Sequence, residues 1–109
     1  SISYIKQQIQ AFNNWLDKIR GLGDNGTVSG VVIENGQPVA EALVTINEKV
    51  AMTNKKGEFK IKKVSVGRHS ITIKDRKSNK NYDLQNPNQQ VVVQKNRESS
   101  IKIRVVSNN

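Results

Sequence analysis

Few residues in this sequence are equipped for chemistry, and their spacing argues against most of it. His69 is the one histidine, and there is no cysteine. No His pair or thiolate set is therefore available for zinc, and no His pair for general-base work. His69 lies in line with Ile71 and Ile73 in a strand-like alternation, which predicts a packed or edge histidine rather than a catalytic one. The acids Glu34, Glu41, Glu48, Glu58, Asp75, Asp83 and Glu98 are spread one to a turn or strand. No close carboxylate pair of the glycosidase kind can be read from that spacing. Asn54-Lys55-Lys56-Gly57 has the composition of a turn, but lysines stand where a calcium loop needs oxygen ligands. Gly21-Leu22-Gly23 precedes a strand pattern, not a helix, so it is no phosphate cradle. The expectation is a non-enzyme with no catalytic residue, no metal site and no cofactor.

What remains is charge. The formal net charge is +9, of which +7 falls in residues 24–109. Lys60 and Lys62 share one strand face, as do Lys102 and Arg104, while Lys74, Arg76 and Lys77 lead with Lys80 into a long polar segment. Gathered on one face, these residues would attract an acidic partner: nucleic acid, anionic lipid, an acidic glycan or an acidic protein. The alternative is simple solubility from lysine-rich strand faces. Nucleic acid and carbohydrate both call for aromatic platforms, and outside the first segment only Tyr82 is placed to supply one, so nucleic acid is the least favoured partner.

The elements that would position these groups divide at Gly21-Leu22-Gly23-Asp24-Asn25-Gly26. Residues 1–23 read as an amphipathic, coiled-coil-like helix. Ile2, Ile5, Ile9, Phe12, Leu16 and Ile19 recur in the three-four spacing of an a/d stripe, with lysines, glutamines and asparagines between them. Ser1 or Ser3 is placed to cap the start, and Gly21 with Gly23 to stop the end. Trp15 lies beside the stripe at a g-like position. Isoleucine dominates both a and d, which leans toward trimers or tetramers over dimers. A single helix of this length is marginal in water, so the stripe needs a cover. That cover is another copy of the helix, the β-rich segment behind it, or a partner protein.

Residues 24–109 read as one β-domain. Short alternating runs at 27–33, 42–46, 49–53, 58 to 62 or 64, 69–74, 90–94 and 100–106 are separated by turn signals such as Asn35-Gly36, Lys56-Gly57 and Val66-Gly67. Residues 76–89, polar and rich in asparagine, read as the longest loop. The fold class expected is mainly β: a seven-stranded antiparallel β-sandwich preceded by one N-terminal amphipathic helix.

Several runs resemble the carboxypeptidase regulatory-like domains, a transthyretin-like (prealbumin-like) family. Gly26-Thr27-Val28-Ser29-Gly30-Val31-Val32, then Gly36-Gln37-Pro38-Val39 and Ala42-Leu43-Val44-Thr45-Ile46, are similar to the family's opening. Thr53-Asn54-Lys55-Lys56-Gly57-Glu58-Phe59 resembles its T-D-x-x-G-x-F turn. Residues 64–73 resemble its V-P-x-G-x-Y-x-L-x-V segment, with Ser65 for the usual proline and His69 for the usual aromatic. The likeness spans residues 26–106. It implies a non-catalytic sandwich appended to larger hosts, among them metallocarboxypeptidases, bacterial surface and outer-membrane proteins, and secretion-system spikes. Transthyretin-like hydrolases of purine catabolism end in Tyr-Arg-Gly-Ser, whereas this chain ends Val106-Ser107-Asn108-Asn109, which disfavours that activity.

The expected function is thus a structural or adaptor module presented by an oligomerising or docking helix, with binding of an acidic partner as the alternative. No apolar run is long enough for a transmembrane span or a signal peptide. The start at Ser1 reads as a mature product or a fragment of something longer. Lack of cysteine leaves the compartment open, and the resemblance leans toward the cell envelope or secretion over the cytoplasm.

Overall fold

The computed structural model of the chain describes residues 1–20 and 23–107, the side chains of Asp17, Lys18 and Arg20 excepted. Helix α1 (Ile2–Arg20) begins as its sequence requires. Ser1 Oγ accepts the Tyr4 N–H at 3.3 Å, which satisfies one of the free amides of the first turn. Gln10 Nε2 donates to Asn14 Oδ1 one turn on, at 3.0 Å. The stop expected at Gly21 lies outside the described residues.

Nine strands follow: β1 (Asn25–Glu34), β2 (Gln37–Pro38), β3 (Ala42–Ile46), β4 (Lys49–Met52), β5 (Glu58–Ser65), β6 (Gly67–Asp75), β7 (Asn81–Leu84), β8 (Gln90–Val93) and β9 (Glu98–Ser107). In one layer β1 lies between β5 and β9, with β2 folded back on its end. In the other, β3 lies between β4 and β6, and β7 and β8 both pair with β6. The last residues of β9 leave β1 and pair with β7, from Tyr82↔Ser107 to Leu84↔Val105. Through β9 the two layers become one curled, mixed sheet.

This corrects the expected seven antiparallel strands in two respects. First, β2 and β7 are additional. The segment 76–89, expected as a loop, contains β7, because Tyr82 and Leu84 alternate against the core while the turn-like Asn81 and Asp83 face outward. Asn and Asp carry a local turn preference that pairing on both edges overrides. Pro38 is tolerated in β2 because an edge strand has no second ladder to supply. Second, β1 and β9 run parallel, in register from Thr27↔Glu98 to Ile33↔Arg104. Alternation tells which side chains share a face but not the direction of the neighbouring strand.

The core is the space between the layers. Val28, Val32, Phe59, Ile61, Val64, Ile103 and Val105 from one side meet Ala42, Val44, Ile46, Ile71, Ile73, Val91 and Val93 from the other. Most are β-branched, which suits a pleated surface. Gly36 and Gly57 are two of the glycines the backbone requires. Gly36 has φ +77° and follows Asn35 at +51°, the paired positive dihedrals of a two-residue hairpin between β1 and β2. Gly57 has φ +75°, and a Cβ there would come within 2.6 Å of the Val32 carbonyl oxygen. Its own carbonyl accepts the Val32 N–H at 2.9 Å, tying the turn before β5 to β1.

Candidate functional site

The candidate recognition residues fall in three groups: the helix stripe, and the basic side chains on the outer faces of the two layers.

On the helix, Ile2 is 72% exposed, Ile5 57%, Ile9 55%, Phe12 57% and Ile19 61%, while Leu16 is half-buried. Trp15 is also exposed, and its ring stacks on Phe12 with centroids 5.9 Å apart. In this structure the sandwich leaves five of the six stripe side chains more than half exposed. No helix among the described residues is long and apolar enough to cross a membrane.

The basic side chains fall into two groups, not one. Strand alternation places Lys60 and Lys62 of β5 and Lys102 and Arg104 of β9 on the outer face of the β5–β1–β9 layer. Lys74 of β6 points outward from the other layer, where it pairs with Leu43 and Asn81, and Arg76 and Lys77 follow it at the end of that strand. The two sets look away from each other, so the fold does not assemble a single basic face from all seven.

Several of these charges are already matched. Lys60 Nζ lies 3.3 Å from Glu98 Oε1, and Ser29 Oγ donates to Glu98 Oε2 at 2.9 Å. The Ser29 hydroxyl, then the Lys60 ammonium, hold the Glu98 carboxyl below the usual range. Arg76 and Lys77 both grip Glu41, at 3.3 and 3.1 Å. Asp75 accepts both the hydroxyl and the amide of Ser78, which lower its pKa and close the turn after β6. Lys62, Lys74, Lys102 and Arg104 make no ion pair among the described residues.

Lys102 and Arg104 differ from the rest in having walls. The segment between β7 and β8 is pinned along β9. The Gln85 N–H donates to the Arg104 carbonyl at 2.8 Å, and Gln89 Nε2 donates to the Lys102 carbonyl at 2.9 Å. Between them Asn86 Oδ1 accepts the Asn88 N–H at 3.2 Å, and its carbonyl accepts the Gln89 N–H at 3.0 Å. The result is a cleft of about 410 Å³ lined by Gln85, Asn86, Gln89, Lys102 and Arg104. A second cleft of about 580 Å³ shares Gln85, Lys102 and Arg104 and extends to Ile33, Val106 and the Asn35-Gly36 turn. Pairing the two cations was within reach of sequence reading. The carboxamide wall was not, because Gln85 and Gln89 sit in a segment with no chemical signature of its own. A third depression, of about 620 Å³ beside Met52 and Phe59, is lined by charges that already have partners: Lys60 with Glu98, and Glu58 with Asn54 at 3.3 Å.

His69 is half-buried, and its Nε2–H donates to the Ser65 carbonyl at 2.6 Å. That is a packing role within the β5–β6 connection. Among the described residues no three His, Cys, Asp or Glu side chains gather as a metal site.

The profile of the carboxypeptidase regulatory-like domain family matches residues 27–106. No curated protein matches the chain. Among solved structures, the Bacillus anthracis TIE protein is similar over 75% of this chain and 16% of its own, with a TM-score of 0.53 and 14% identity. A DUF3823 family protein from Parabacteroides merdae is similar over 75% of this chain and 46% of its own, with a TM-score of 0.49 and 14% identity. The chain thus spans less than half the length of either protein.

Proposed function

We propose that this chain, which belongs to the carboxypeptidase regulatory-like domain family, is a non-catalytic adaptor module of a larger surface or secretion-related protein, multiplied by its helix. The observation that carries the reading is the exposed stripe on α1. Five of its six a/d side chains are more than half exposed, an arrangement that in water calls for a partner surface. A second copy of the same helix fits it, since the three-four spacing lets knobs from one copy enter holes of another. The full chain is therefore expected to sediment as a trimer or tetramer. Leu16→Asp, which puts a charge in the seam, is expected to convert it to monomer and to lower its helical circular dichroism while leaving the β signal intact. A wild-type chain that stays monomeric at high concentration would rule out the self-associating form.

A second reading is binding of an acidic partner. It is favoured by one observation: Lys102 and Arg104 stand side by side without a counter-ion among the described residues. The two readings are compatible, because helix and clefts use different surfaces.

A further inference from the structure

We propose that the trough formed by Lys102, Arg104, Gln85 and Gln89 is a docking site for an extended acidic polypeptide, which it recognises through carboxylates on alternate residues. This rests on the second reading above and narrows it to one place and one class of partner.

The spacing comes from the strand. Lys102 and Arg104 are two residues apart on β9 and project from the same face, so their stems are about 7 Å apart. The side chains of an extended peptide repeat at the same interval on each of its faces. A Glu-x-Glu or Asp-x-Asp segment lying along β9 therefore presents one carboxylate to each cation. The carboxamides of the wall complement this. Gln89 is fixed by its bond to the Lys102 carbonyl, and Gln85 is held by its backbone to Arg104, so the rim is set before a ligand arrives. Side-chain carboxamides both donate and accept, as a peptide backbone requires.

The charge is also unspent at this point. Lys60, on the same outer face, is paired with Glu98, and Arg76 and Lys77 share the single carboxylate of Glu41. Of the nearby acids, Asp83 of β7 lies opposite Val106 and makes no ion pair among the described residues, while Glu34 is taken up by the Ser107 amide and hydroxyl. Lys62 and Lys74 are also unpaired, but neither lines either of the two clefts. The absence of a stacking platform decides the class of partner. Tyr82 packs against the core, and the exposed aromatic side chains among the described residues, Tyr4, Phe12 and Trp15, are on the helix. Sugars and bases would bind here without the face-on contact that usually holds them.

The test is fluorescence anisotropy of the full chain with a labelled peptide alternating glutamate and threonine, set against its glutamine-for-glutamate counterpart and a labelled heparin oligosaccharide. The glutamate peptide is expected to bind, the glutamine peptide not, and added salt to weaken the complex. The double variant Lys102→Gln, Arg104→Gln is expected to lose on the order of tenfold or more in affinity. The charge-matched variant Lys74→Gln, Lys80→Gln is expected to stay within about twofold. Lys80, Lys102 and Arg104 are exposed and Lys74 is half-buried but outward-facing, so unchanged thermal unfolding certifies both variants. If the two variants weaken binding equally, the trough is wrong while the acidic-partner reading stands. If the wild type binds neither the glutamate peptide nor heparin, both fall. Heparin binding that needs Lys102 and Arg104, without peptide binding, overturns the polypeptide class.

Discussion

At the scale of single residues, one buried polar side chain ties the layers together where the chain passes between them. Thr53, 2% exposed, donates its hydroxyl to the Val39 carbonyl at 2.7 Å and accepts the Ala42 N–H at 2.9 Å. It thereby satisfies two backbone groups where the chain crosses between layers. Thr53→Val keeps the shape and strands both groups, and is expected to cost about 2–4 kcal/mol in a urea melt. Glu98 offers a test of the surface. Its folded carboxyl titrates below the ordinary range because Ser29 and then Lys60 bond to the charged form. A depressed carboxyl contributes stability that is present above the unfolded pKa and lost as pH falls through the folded one. That window lies at and below about pH 4. Ser29→Ala is expected to raise the Glu98 midpoint measured by NMR, and to make the protein less sensitive to acid in that range. Both residues were visible in the sequence. Thr53 stood within the family-like turn, but its two bonds were not legible, since their partners lie 14 and 11 positions away.

At the scale of elements, the hairpins show how local chemistry and tertiary demand trade places. The β1–β2 turn uses Asn35-Gly36, whose types alone announce positive dihedrals. The β3–β4 turn needs the same geometry, yet uses Asn47 at +51° and Glu48 at +67°. A glutamate there is strained by its Cβ. Glu48→Gly is expected to stabilise the protein by about 0.5–1 kcal/mol, the relief being partly offset by the glycine's greater freedom when unfolded. A fall in the unfolding midpoint would contradict this. The same trade hid β7, where Asn81 and Asp83 advertise a turn but the pairing of both strand edges prevails. The helix is the opposite case. Its start is written in adjacent residues: of Ser1 and Ser3, Ser1 accepts the Tyr4 N–H and the helix runs on from Ile2.

At the scale of the whole molecule, the layers are joined by one strand. β9 leaves β1 and reaches β7, which makes a single sheet of what the sequence presents as separate alternating runs. This also settles which charges meet. Lys102 and Arg104 share a trough because the segment from Gln85 to Gln89 is pulled across to β9, whereas Lys74, Arg76 and Lys77 are carried to the other layer. The exposed stripe and the trough are therefore independent surfaces, and a multimer held by the helix would present several troughs at once. Such an arrangement raises apparent affinity for a repetitive acidic partner by raising the local concentration of sites.

By itself the sequence determined that the fold is mainly β behind one N-terminal helix, and which strand side chains face inward and which outward. Each follows from residue type and short-range periodicity, which act between neighbours in the chain. Only the tertiary structure decided the parallel pairing of β1 with β9, the presence of β7, the ion pairs made by Lys60, Arg76 and Lys77, and the carboxamide wall beside Lys102 and Arg104. These depend on contacts between residues far apart in the chain, whose partners are chosen by the packing of the whole core and not by any local preference.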